Sequence, residues 1–311
     1  MKVVIAGGTG LIGTALTSAL ARAGHQVVVL TRRPPAEVRG LPAGARAARW
    51  SGGEPVAGWS AALGGANAVV NLAGASIGRW PWSAARRREL LDSRLRATSA
   101  LVAAIASLPG PERPGTLLNA SGVDYYGERG DEAVDEASPP TGGVFLAGVC
   151  ERWEAAAREA EPLGVRVVRL RTGLVLAREA VALRLMALPF RLFGGGRTGD
   201  GRQWVSWVHL ADVVGLYELA LRDAELAGPL NVVAPEPARN ADLAAAIGRV
   251  LHRPVWLPAP APLLRLPLGQ MADLLLVGHR VRPAVARERG YEFTYPALEP
   301  ALAEALGRAA G

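Results

Sequence analysis

Short, largely apolar runs recur along the chain at residues 3–6, 27–30, 68–72, 116–119, 165–170 and 230–233. Each is four to six residues long and rich in β-branched or leucine side chains, the pattern of a strand buried on both faces. Between them, residues 11–23, 84–107, 144–161 and 211–222 repeat apolar positions at helical spacing. Alternation of the two patterns predicts an α/β fold built on a doubly wound parallel sheet with helices on both sides. The composition changes after about residue 235. Pro254, Pro258, Pro260, Pro262 and Pro267 punctuate a stretch that leads into further helical patterns. We therefore expect a large domain over residues 1–235 and a small C-terminal α/β subdomain over residues 236–311 on the substrate side. Residues 194–201 form a glycine-rich connection, and no repeat of solenoid period is present.

Composition narrows the function classes. Half of the 311 residues are apolar and a fifth are charged, enough for a sizeable core and too little charge for global disorder. The 35 basic and 28 acidic residues leave +7, spread along the chain, which suits a phosphate-bearing small molecule better than a nucleic-acid groove. Lys2 is the sole lysine, so a mechanism that needs a lysine deep in a cleft must use it or do without. The single cysteine, Cys150, excludes an intrachain disulfide and fits a reducing compartment. No metal-ligand spacing occurs, so no metal is expected. Two charge-free stretches, residues 3–21 and 55–78, invite a leader or membrane reading. Glycines interrupt the first, and the second is too weakly apolar to span a bilayer. A cytoplasmic protein without membrane contact is the expectation.

The first run opens into Gly7-Gly8-Thr9-Gly10-Leu11-Ile12-Gly13 and then a helix. Glycines at this spacing permit a positive φ in the turn and close approach of backbone to a pyrophosphate. The last glycine lets helix and strand pack tightly, and the helix start offers free N–H groups to an anion. Strand before and helix after make this a dinucleotide-binding elbow. The second run ends in Leu30-Thr31-Arg32-Arg33, where an NAD site would carry an acidic residue for the ribose hydroxyls. A hydroxyl and guanidiniums favour a 2′-phosphate, hence NADP(H). Asn71-Leu72-Ala73-Gly74 closes the third run, with small residues where adenosine would lie and an asparagine whose alternative reading is to satisfy backbone groups in a turn.

Together these elements resemble the extended branch of the short-chain dehydrogenase/reductase superfamily, the NAD(P)-dependent epimerase/dehydratase group with its doubly wound Rossmann sheet. More narrowly the chain resembles an atypical subgroup of "epimerase family proteins". Its further marks are Ser93-Arg94, Val123-Asp124-Tyr125-Tyr126-Gly127, Phe145-Leu146-Ala147, Trp153-Glu154-Ala155-Ala156, Arg171-Thr172-Gly173, and Gly201-Arg202-Gln203 running to Ser206-Trp207-Val208-His209. The resemblance implies NADP contacts at the glycine loop, Thr31, Arg32, Leu72, Ala73, Gly74, Glu89, Arg94 and Val175. It also exposes a departure. The superfamily pairs a tyrosine with a lysine four residues on, the one as acid/base and the other lowering its pKa. Here Phe145 and Val149 stand at those positions, and neither can move a proton.

Other groups must then serve. Ser121 is the hydroxyl after the strand at 116–119, although counting back from Tyr126-Gly127 lands on Gly122 instead. Tyr125 and Tyr126 are the nearest phenols, each a candidate acid or an aromatic packing residue. His209, three before Asp212, suits proton transfer or a helix start. Arg86-Arg87-Arg88 reads as a solvated face, Trp80 and Trp82 as a lid or a core plug, and Cys150 as buried and inert. Arg197 and Arg202 flank the glycine-rich loop as candidate anion contacts. The expected function is an atypical NADP(H)-dependent oxidoreductase or epimerase-like enzyme acting on a small polar substrate. The alternative is a non-catalytic NADP(H)-binding module that reports redox state. The oligomeric state is left open, a homodimer included.

Overall fold

The computed structural model describes residues 1–52 and 59–307, so residues 55–58 of the second charge-free stretch lie outside the described residues. The strands are β1 (Lys2–Ala6), β2 (Gln26–Thr31), β3 (Ala45–Arg49), β4 (Ala68–Asn71), β5 (Thr116–Gly122), β6 (Ala133–Val134) and β7 (Arg166–Thr172). They continue with β8 (Leu174–Leu176), β9 (Trp204–Val205), β10 (Trp207–His209), β11 (Gly228–Val232), β12 (Ala238–Arg239) and β13 (Arg280–Val281). The helices are α1 (Leu11–Arg22), α2 (Ala84–Ser107), α3 (Phe145–Arg158), α4 (Val181–Arg191) and α5 (Leu210–Arg222). Those of the C-terminal part are α6 (Asn240–Leu251), α7 (Ala261–Leu268), α8 (Asp273–Leu276), α9 (Ala284–Glu288) and α10 (Leu298–Ala305).

Seven strands form one parallel sheet in the order β11-β7-β5-β4-β1-β2-β3. The apolar runs alternate their faces. Val3, Ile5, Val27 and Val29 join the core beneath α1 and α5, whereas Val4, Ala6, Val28 and Leu30 join the core on the opposite face. Both sets are buried, which is why these strands carry no polar alternation. Burying a side chain of this size contributes about 1.5–3 kcal/mol, so the sheet is anchored along its whole centre. The edge strand β3 escapes the apolar pattern. Its sequence, Ala-Arg-Ala-Ala-Arg, leaves it half-exposed, because an edge strand has one neighbour and needs cover on fewer sides.

The C-terminal part is mainly helical. Its two short strands do not pair with each other: β12 runs antiparallel to β9, and β13 runs parallel to β6. Residues from 236 onward thus complete two small sheets begun earlier in the chain. A third core, including Leu183, Trp207, Leu243, Ile247 and Leu302, ties α4, α6 and α10 together. Among the described residues, no helix is long and apolar enough to cross a membrane.

Candidate functional site

The glycine elbow is built by steric necessity. Gly7 has φ +79°, and a Cβ there would sit 2.8 Å from the Leu72 carbonyl carbon. A Cβ on Gly13 would lie 2.5 Å from the Gly7 oxygen, so only hydrogen fits between helix and turn. Gly10 caps α1 without any side-chain hydrogen bond, and no acidic residue enters the first turn. The N-terminal amides of Leu11, Ile12 and Gly13 therefore keep the positive end of the helix open to an anion. Thr9 and Gly10 are exposed beside it.

Around the elbow, Thr31 is buried at the end of β2 and accepts a hydrogen bond from the Arg33 amide at 3.2 Å, while Arg32 is exposed. Across from it on α2, Glu89 is hydrogen-bonded by Arg86 at 2.5 Å, which holds its carboxyl below the usual range. Arg79 and Arg32 lower it further, so residues from β2, the loop after β4, and α2 share one positive neighbourhood. Arg86 does not lie on a solvated face. It is 9% exposed, capped by a bond from its second amino group to the Ser76 carbonyl.

Arg94 is half-buried lower on the same helix. It donates to the carbonyls of Leu90 at 2.8 Å and Ala75 at 3.1 Å, and lies 5.0 Å from the Trp153 ring centre. Its aliphatic stem fills the space that a side chain at Gly74 would need, 3.1 Å from the ideal Cβ. Arg94 thereby holds the Leu72-Ala73-Gly74 turn against α2. Asn71 serves the turn as well: its Oδ1 accepts from Ala73 N, while its amide donates to Asn119 and Thr98. Val175, on β8, is half-buried against the same core as α1.

The chemistry-bearing candidates divide into two groups. Ser121 is buried and donates to Glu154 Oε1 at 2.8 Å. Glu154 in turn receives Arg171 through two parallel bonds of 2.8 and 2.9 Å. Arg171 also donates to the Tyr126 phenol, which donates to Asn231 at 2.7 Å. Tyr126 is fully buried, and burial pushes its phenol up to about 12. Ser121 and Tyr126 are thus engaged in a closed polar chain behind the strand ends. His209 is engaged too: it caps α5 by accepting from Ala211 N, and its Nε2 meets Glu304 of α10 at 2.7 Å. Asp212 accepts from the amides of Thr294 and Tyr295, so the pair clamps the C-terminal segment onto α5.

The other group borders a narrow crevice. Tyr125 is half-buried, with the Arg171 guanidinium 3.5 Å above its ring. Phe145 stands edge-on to Trp82 at 5.8 Å, and Val149 is buried behind it. A cleft opens here between Trp82, Asp124, Phe145 and the C-terminal residues Asp273 and Leu274. Gly122 matters because an ideal Cβ on it would lie 3.3 Å from Asp124 Oδ2 and 3.4 Å from Cys150 Sγ. Where the alternative register calls for a hydroxyl, a carboxylate approaches instead. Sequence reasoning passed over Asp124, although it sits two residues before Tyr126 in the quoted motif. It also passed over His279, contributed from beyond residue 235. That imidazole is buried, its Nε2 has no partner among the described residues, and burial lowers its pKa against the opposing pull of Asp124 and Glu128.

The two tryptophans separate. Trp82 is buried under the loop, and Trp80 is 58% exposed, donating to the Pro267 carbonyl of α7. The glycine-rich connection is tied down rather than loose: Thr198 N donates to Asn240 Oδ1, and Gly199 N to the Ala259 carbonyl. Cys150 is buried, with its thiol raised to about 12. Among the described residues no group of three or more His, Cys, Asp or Glu is placed to hold a metal ion.

Comparison with known proteins identifies the fold and the family. The chain matches the NAD dependent epimerase/dehydratase family over residues 3–233, and a domain of unknown function, DUF1731, over residues 259–305. Epimerase family protein Mb2239 of Mycobacterium bovis is 40% identical across 98% of both chains. The chloroplastic SDR39U1 homolog of Arabidopsis thaliana is 39% identical over 97% of this chain and 86% of its own. The crystal structure of human epimerase family protein SDR39U1 with NADPH superimposes with a TM-score of 0.84 at 35% identity, covering 98% of this chain and 99% of that one. UDP-glucuronic acid 4-epimerase of Bacillus cereus, with NAD, shares the fold at a TM-score of 0.78 and 16% identity, covering 98% and 96% of the two chains. The chain belongs to the NAD dependent epimerase/dehydratase family, with the match running from its glycine elbow to the last strand of the sheet.

Proposed function

We propose that the protein binds NADP(H) and acts as an atypical oxidoreductase or epimerase-like enzyme on a small polar substrate. The observation that carries this reading is the uncapped start of α1, wedged open by Gly7 and Gly13 beside an exposed Arg32. The amides from Thr9 to Gly13 would take the pyrophosphate, and Thr31 and Arg32 the 2′-phosphate. Leu72, Ala73 and Gly74 would lie along the adenosine, with Glu89, Arg94 and Val175 completing the contacts. The NADPH bound in the human relative supports the same choice of cofactor. A bound nicotinamide supplies hydride transfer, the step for which no side chain is equipped.

The protein's own part is then to orient substrate and move a proton. With Phe145 and Val149 at the usual positions, two carboxylates line the cleft; Asp273 is paired with Arg265, which leaves Asp124, next in the chain to Tyr125, as the group to do so. Ser121, Tyr126 and His209 take positioning roles, because each is already bonded to a buried side chain or, for His209, to Glu304 of α10. A thermal-shift titration with NADPH, NADP, NADH and NAD tests the cofactor reading. At a hundredfold excess over Kd, a selective ligand stabilises the fold by about 2.7 kcal/mol. Equal shifts for the phosphorylated and unphosphorylated forms refute the assignment of Arg32. The same Phe145 and Val149 favour a second reading, a binding module that reports redox state without turnover. NADPH consumption with a panel of aldehydes, ketones and nucleotide sugars separates the two.

A further inference from the structure

Helix α4 carries its apolar residues on two faces. Leu183, Ala187 and Phe190 are buried against the third core. Val181, Leu185, Leu188 and Leu192 follow at i, i+4, i+7 and i+11 and point outward, 61%, 56%, 48% and 71% exposed. Phe193 and Trp256 extend this stripe, both more than half exposed and joined by a hydrogen bond from the indole to the Phe193 carbonyl at 2.8 Å. Helix α7 also exposes Leu263 and Leu266, the latter 88% exposed. Single exposed leucines are ordinary on a protein surface, but a continuous stripe with an aromatic end marks a contact site.

The charges beside it choose the partner. Residues 180–199 contain Arg184, Arg191 and Arg197 and no carboxylate, and residues 243–272 contain Arg249, Arg253 and Arg265 and no carboxylate. Arg249 and Arg265 are paired with Glu299 and Asp273. Arg184 and Arg191 are exposed with no ion pair among the described residues, and Arg253 lies 4.3 Å above the Phe193 ring. A second copy docked on the same stripe would bring the unpaired Arg184 and Arg191 of both copies toward one another. An anionic bilayer answers both features at once. Apolar side chains enter the boundary between headgroups and acyl chains, an indole sits at that depth, and guanidiniums reach back to phosphate.

We infer that the face formed by α4, Phe193 and Trp256 docks the protein reversibly onto anionic membrane surfaces, as a peripheral contact without a spanning segment. The full-length protein is tested by co-sedimentation with vesicles of phosphatidylcholine alone or mixed with phosphatidylglycerol. Binding is expected on the mixed vesicles and lost at high salt. Arg184→Gln with Arg191→Gln should weaken the partition about thirtyfold. Leu188→Glu with Leu192→Glu should abolish it while leaving the melting temperature and NADPH titration unchanged. Those two controls keep failure of the membrane contact distinct from failure of the cofactor reading. Absence of sedimentation with mixed vesicles overturns the inference. So does binding that ignores both double variants, or a solution dimer dispersed by Leu188→Glu with Leu192→Glu.

Discussion

Replacing Arg171 by methionine removes the centre of the buried polar chain and leaves a side chain of similar length. Glu154, 1% exposed, then loses the two bonds of 2.8 and 2.9 Å that neutralise it. Among the described residues, Ser121 at 2.8 Å and Arg169 at 3.7 Å remain to it. The Tyr126 hydroxyl keeps only Asn231. Breaking a buried pair by deleting one partner costs about 3–5 kcal/mol, because the surviving charge stays desolvated. Removing both charges is far gentler. Arg171→Met combined with Glu154→Leu should recover part of that loss, less about 1–3 kcal/mol for the Ser121 hydroxyl left without its acceptor. Urea unfolding of the two singles and the double, followed by tryptophan fluorescence, yields the coupling energy directly. If Arg171→Met lies within about 1 kcal/mol of the parent, or the double variant is no more stable than the single, Glu154 is not held as a buried anion by Arg171 and the argument fails.

Three further outcomes are expected. Arg32→Gln should weaken NADPH binding roughly tenfold to a hundredfold, the worth of a charge-assisted bond to phosphate, and leave NADH unchanged in calorimetric titration. Asp124→Asn should leave NADPH affinity intact and reduce turnover of any accepted substrate about a hundredfold or more; unimpaired turnover would remove Asp124 from the proposed mechanism. Burial raises the Cys150 thiol from 9.0 to about 12, so its contribution to stability is complete below the unfolded value and declines as pH climbs from about 9 toward 12. Native protein at pH near 8 should resist iodoacetamide and react once unfolded in urea, and Cys150→Ala should flatten the alkaline decline in stability; labelling of native protein would show the thiol to be accessible.

Much of the architecture could be read before any coordinates. A strand covered on both faces must be apolar at every position, so Val3-Val4-Ile5-Ala6 and its counterparts announce a central parallel sheet. The glycine elbow is legible for a similar reason: backbone contacts of 2.5–2.8 Å tolerate no Cβ, so the constraint is written as residue identity. Phe145 and Val149 exclude the usual proton-transfer pair from sequence alone, because no fold gives a phenyl ring or an isopropyl group an acidic proton. Edge strand β3 was silent because its ladder bonds come from backbone, whatever the side chains.

Tertiary structure decided what each remaining polar group is free to do. Ser121, Tyr126 and His209 have the same chemistry wherever they stand; the partners that engage them come from 33, 105 and 95 residues away. Asp124 gains significance only through the cleft that Phe145 and Asp273 share with it, and His279 only through its burial. Local constraints such as sterics and face burial act within a few residues and leave a mark in the chain. Hydrogen-bond satisfaction and solvation are settled between distant segments, so the sequence names the functional groups and the fold assigns their duties.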